Sequence, residues 1–140
     1  MKVLVVLCFL IASAAANSFG APISACTTLT PQHGFNLLPQ TSPLPVRIIL
    51  SKTKILPGES IYITIESINP AFEFRGFLVQ PRSVVAPHSP VGIMEWVNPD
   101  CYSRLDCNGL TSATHVRRHA RNTETFVWTA PKESGGIRVQ

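Results

Sequence analysis

Arg117, Arg118 and Arg121, interleaved with His115 and His119, form the densest basic stretch of this 140-residue chain. Guanidinium groups grip phosphate, sulfate or carboxylate through paired hydrogen bonds. The cluster Arg117, Arg118, His119 and Arg121 is therefore a candidate site for anionic polymers such as lipopolysaccharide, teichoic acid or heparin-like chains. The competing reading of the same residues is a solvated loop between two strands. Nucleic acid is not an expected partner, because the formal charge is only +4 and the aromatic residues fall in core patterns.

The other chemistry-bearing residues point away from catalysis. There is no Gly-x-Ser-x-Gly elbow, phosphate loop or His-Glu-x-x-His motif, so no catalytic residues and no cofactor are expected. Of the histidines His33, His88, His115 and His119, one pair has i, i+4 spacing, which shares a face only on a helix. That segment reads as strand or loop, and no cysteine or carboxylate completes a set. No metal site is expected, and His33 and His115 read as hydrogen-bonded structural residues.

Met1-Lys2, the apolar run Val3 to Ile11 and the small residues Ala12 to Ala16 have the layout of a secretory signal peptide. Cleavage after Ala16 would leave residues 17–140, with a formal charge of +3 once Lys2 is lost. No later apolar stretch approaches the ~20 residues of a membrane span, and there is no Asn-x-Ser/Thr sequon. The expected product is secreted and extracellular. Cys8 leaves with the signal, and Cys26, Cys101 and Cys107 meet an oxidising environment. Three cysteines allow one bridge and one leftover thiol. Pairing Cys26 with Cys107 closes a long loop and pairing Cys101 with Cys107 a very short one; the residues alone do not choose.

Twelve prolines and eight glycines leave little uninterrupted length for helices. Asn17 to Pro45 reads as loop. Strands are predicted at Arg47 to Leu50 and at Ser60 to Ser67, where Ile61, Ile63 and Ile65 alternate with Tyr62, Thr64 and Glu66. A turn at Pro57-Gly58 separates the two. Phe72 and Phe74 extend an alternating pattern into Arg75 to Gln80, ended by Pro81. Further strands are read at Gly92 to Val97, Leu110 to Val116, Thr125 to Thr129 and Ile137 to Val139, with Asn98 to Gly109 a polar stretch. Phe126 and Trp128 share a face and should be core. About seven short strands imply an all-β, antiparallel β-sandwich of a single domain.

Five elements, in order, carry a resemblance to the reeler (reelin) domain family, and within it to small secreted insect-type defence proteins. They are Cys26 with Pro31 and His33; Pro57-Gly58; Phe74-Arg75-Gly76-Phe77-Leu78-Val79-Gln80 with Arg82; Leu105-Asp106-Cys107 with Thr114-His115; and Phe126-Val127-Trp128-Thr129-Ala130-Pro131. The resemblance implies an immunoglobulin-like sandwich with a Cys26–Cys107 bridge, which leaves Cys101 free or available between chains. It implies a role in innate immunity through binding to bacterial surfaces or antimicrobial action. The alternative role is an extracellular matrix or adhesion module for host glycans or proteins. Leu29, Ile55, Pro81 and Cys101 depart from the family pattern. The family also continues past Val139, so the domain is expected to be incomplete at its C-terminus. An open strand edge or Cys101 would then permit a dimer.

Overall fold

Ile61, Ile63 and Ile65 turn to one side of β3 (Ser60–Ser67) and are buried, while Tyr62 on the other side is exposed. This two-residue period lets one face join a core and leaves the other to solvent. A computed structural model describes residues 20–30, 38, 40–84, 86, 89–97, 102–105, 107, 109–132 and 137–138. Around β3 lie β1 (Val46–Leu50), β5 (Ile93–Trp96) and β8 (Thr123–Thr129), in the antiparallel order β1-β3-β8-β5. A second sheet has the order β4-β7-β6, built from Leu78–Val79, Ser112–His115 and Tyr102–Leu105. A short ribbon pairs β2 (Lys54–Ile55) with β9 (Ile137–Arg138).

The two sheets close over one core as a β-sandwich. Register sets Ile61 beside Trp128 and Ile63 beside Phe126, with Met94 and Trp96 of β5 on the far side of the same two aromatics. Trp128 is 1% exposed and Phe126 is 0% exposed. Ala113 of β7 and Ile55 of β2 join this cluster, and Phe77, Val79 and Val116 pack against it. Trp128 buries its polar group without penalty because Nε1–H donates to the Val91 carbonyl at 2.8 Å. That contact requires Gly92, at φ +74, since a Cβ there would lie 2.3 Å from Trp128 Nε1 and 2.5 Å from the Thr129 carbonyl oxygen.

Cys26 and Cys107 are joined, with their Cα atoms 5.6 Å apart and 81 positions between them. On the chain-entropy model a loop of that length contributes roughly 4–5 kcal/mol. The same flank is held by a polar relay. Arg82 Nη2 donates to the carbonyls of Cys26 and Thr27, Arg82 Nε to Gln80, and Gln80 to the buried Ser112 hydroxyl. The Ala21 N–H donates to Thr114 Oγ1, which in turn donates to the Phe77 carbonyl.

Several local expectations change. Within the stretch read as loop, Ala25–Thr28 forms a helical turn, α1, closed by Leu29 at φ 55. β6 occupies part of the polar stretch, and β2 arises where no strand is predicted; both are short, β6 pairing with the neighbouring β7 and β2 with β9 far along the chain. The predicted strand from Phe72 to Gln80 reduces to β4 and one bridge, Phe74 to Arg121. Trp128 and Phe126, expected in the core, are fully enclosed. The leader expected at 1–16, His33, His88 and Cys101 lie outside the described residues.

Candidate functional site

A register jump builds the basic site. Leu78 pairs with Thr114, and Phe74 pairs with Arg121. From Phe74 to Leu78 the chain advances four residues, whereas from Thr114 to Arg121 it advances seven. The three surplus residues must leave the ladder, as at an enlarged β-bulge. Arg117, Arg118 and His119 are the exposed residues of this connection. The His119 N–H donates to the Arg117 carbonyl at 2.8 Å, folding the excess into a tight turn.

At the foot of that loop two hydrogen bonds lock Phe74 to Arg121, N–H to carbonyl at 2.9 and 3.0 Å in the two directions. Antiparallel geometry therefore sets Arg75, also exposed, beside Ala120. Arg75, Arg117 and Arg118 take part in no ion pair among the described residues. Glu73 is the acidic residue next to this group in sequence and is likewise exposed. The bulge thus presents two exposed guanidiniums and an imidazole, and the segment facing it adds a third guanidinium. The sequence reading missed Arg75, which lies more than forty positions from the loop. Its signal was available in the short Phe-Arg-Gly-Phe run, but only the bridge to Arg121 shows where that run goes.

Arg121 does not belong to this surface. It is 7% exposed, and its Nη1 forms an ion pair with the carboxylate of Glu124, itself largely buried. Nε donates to the His119 carbonyl at 3.2 Å, and the guanidinium carbon lies 5.4 Å from the centre of the Phe77 ring. Phe77 stands edge-on to Phe74 and tilted against Phe126. An arginine so engaged offers no donors to a polymer in solvent. Its place in the candidate ligand set is corrected: burial against Phe77 and pairing with Glu124 make it the loop's anchor.

His115 is also structural. Its Nδ1 accepts the Phe77 N–H at 3.2 Å, and its ring closes over Gly76, where an added Cβ would meet Cε1 at 3.1 Å. His115 and His119 therefore have different surroundings, one packed against Phe77 and one in solvent. Among the described residues, no group of three histidines, cysteines or carboxylates could hold a metal. No described helix is long and apolar enough to cross a membrane.

Comparison with known proteins agrees with this architecture. The family model for the reeler domain matches residues 24–140. "Putative defense protein 3" of Antheraea mylitta is 34% identical over 119 residues, covering 84% of this chain and 69% of that protein. "Putative defense protein" of Bombyx mori is 31% identical over 122 residues, covering 84% and 68%. Among solved structures, the Reelin-N domain of F-spondin superposes with a TM-score of 0.56 at 18% identity, covering 74% of this chain and 80% of that one. Cys26, Cys107, the Phe74–Gln80 segment and the β8 core thus sit in a shared scaffold, and the chain belongs to the reeler domain family.

Proposed function

We propose that this is a secreted defence protein of innate immunity that binds anionic polymers of microbial surfaces through Arg75, Arg117, Arg118 and His119. The carrying observation is the bulged turn and the segment facing it, which together hold three exposed guanidiniums without ion-pair partners among the described residues, on a disulfide-closed sandwich. Loops on rigid scaffolds are where such proteins bind. The names of the insect relatives support the defence role.

Binding to lipopolysaccharide-bearing vesicles tests the site. An exposed charge pair contributes about 0.5 kcal/mol, so Arg75→Ser/Arg117→Ser/Arg118→Ser together should weaken binding about tenfold. Affinity of the unaltered protein should fall as salt rises. Equal affinity for the triple variant would return the turn to a solvated loop. Tighter binding to heparin than to lipopolysaccharide would favour the matrix role. Induction of the transcript by bacterial challenge is the expectation that separates the two roles in the animal.

A further inference from the structure

The edge of the first sheet carries a second surface. β1 pairs on one side with β3 and, among the described residues, has no strand on the other. At the ends of that ladder, Ser51 N–H donates to the Tyr62 carbonyl and Ile68 N–H to the Pro45 carbonyl, both at 3.0 Å. Antiparallel bonding alternates every second residue, so Pro45, Arg47, Ile49 and Ser51 direct their backbone groups at β3. The N–H and C=O groups of Val46, Ile48 and Leu50 therefore point out of the sheet. None of them has a hydrogen bond among the described residues.

Proteins usually protect such an edge with lysine, proline, a bulge or a covering segment. Here Pro45 faces β3, where its missing N–H blocks nothing outside. The one charge of the strand, Arg47, is bound to Glu66 with Nη2 2.5 Å and Nε 2.7 Å from Oε2. Ile48 points to the core side, opposite the buried Ile65, yet is 65% exposed, and Ile49 on the opposite face is 40% exposed.

We infer that β1 is a self-association edge, joined by the β1 of a second copy running antiparallel about a twofold axis at Ile48. The strand Val-Arg-Ile-Ile-Leu is complementary to itself in that register. Ile48 meets the second copy's Ile48, and Val46 meets its Leu50. Outward-pointing residues then face outward-pointing residues, and three residues with one donor and one acceptor each give six hydrogen bonds. Each Arg47 lies opposite an Ile49 rather than the other Arg47, and Glu66 already balances its charge. The product is one continuous eight-stranded sheet, with the two Ile48 side chains extending the apolar face. A five-residue edge buries far less than the ~1,200–2,000 Å² of a stable complex, so the association is weak and concentration-dependent.

Sedimentation velocity of the intact secreted chain over a concentration series tests this. The weight-average mass should climb toward twice the monomer. Ile48→Pro removes an outward N–H and leaves the β3 ladder whole, and should hold the protein at monomer mass with unchanged melting. Ile48→Lys should do the same. In a Cys101→Ser background, Ile48→Cys should form a disulfide-linked dimer on mild oxidation, because directly opposed hydrogen-bonded residues sit ~5.5 Å apart. Ile49→Cys should not. Monomer mass at every concentration, association that survives both Ile48 variants, or equal cross-linking at Ile49 would each overturn the proposal.

Discussion

Arg118 and Arg121 are three positions apart in one connection, yet they serve opposite purposes. Arg118 stands in solvent on the three surplus residues that the register jump expels. Arg121 has re-entered the ladder, and there Glu124, the His119 carbonyl and the Phe77 ring surround it. The same side chain is a ligand donor where the backbone bulges and a structural part where it pairs. The difference lies in how completely neighbours determine the position, and composition alone does not carry that information.

The comparison can be pressed hardest at two glycines, both with positive φ. At Gly92 an added Cβ would collide with Trp128 and with the Thr129 backbone, whereas at Gly109 it would meet nothing within 4 Å. Gly92→Ala should therefore cost about 4 kcal/mol, through strain plus displacement of the central tryptophan. Gly109→Ala should cost only about 1–2 kcal/mol, the penalty for a left-handed non-glycine residue. Denaturant titration of both variants gives the numbers. Similar losses would mean that crowding around Trp128 is relieved by movement, and the distinction between packed and open positions would fail.

The arginines come next in size. Arg121→Ala leaves Glu124 buried without its partner and should lose about 3 kcal/mol. Arg117→Ser/Arg118→Ser should stay within ~0.5 kcal/mol of the unaltered protein. The binding readout should reverse: the loop variant loses affinity for anionic vesicles, while a folded Arg121→Ala protein retains it. If Arg121→Ala proved as stable as the loop variant, the anchor role assigned to it would be wrong.

These contrasts mark what the amino-acid sequence made legible. The alternation of Ile61, Ile63 and Ile65 and the Phe126/Trp128 pair are local patterns, and they appear as a buried ladder between β3 and β8. The Pro57-Gly58 turn is equally local, with Gly58 at φ +75. The pieces not foreseen depend on partners rather than on a period of their own. β2 exists because β9, far along the chain, lies beside it, and β6 because the neighbouring β7 folds back on it. The break in the Phe72–Gln80 pattern reflects a mismatch in length with a segment some forty positions away, which no period reports. For the same reason the basic stretch was visible as a cluster, but the removal of Arg121 and the arrival of Arg75 were not.

The smallest effect concerns the exposed counterpart of the Arg121–Glu124 pair. Glu59 closes the Pro57-Gly58 turn: its carboxylate accepts the Leu56 N–H at 2.8 Å and pairs with Lys52 in solvent. The Leu56 hydrogen bond first, and Lys52 second, hold its pKa below the ordinary value. A carboxyl whose folded pKa is depressed contributes stability above its unfolded pKa, about 4.3 for Glu. That contribution is lost as pH falls through the lower folded value. Glu59→Gln keeps an acceptor for Leu56 but carries no charge, so its melting temperature should fall less steeply than that of the unaltered protein in the acid range. At neutral pH the variant should lie slightly below the unaltered protein, and added salt should narrow that gap, because the Lys52 pair is screened. The deficit of Arg121→Ala, set by burial, should persist in the same salt. A Glu59→Gln protein with an unchanged acid limb would show that the turn is held by Pro57 and Gly58 alone.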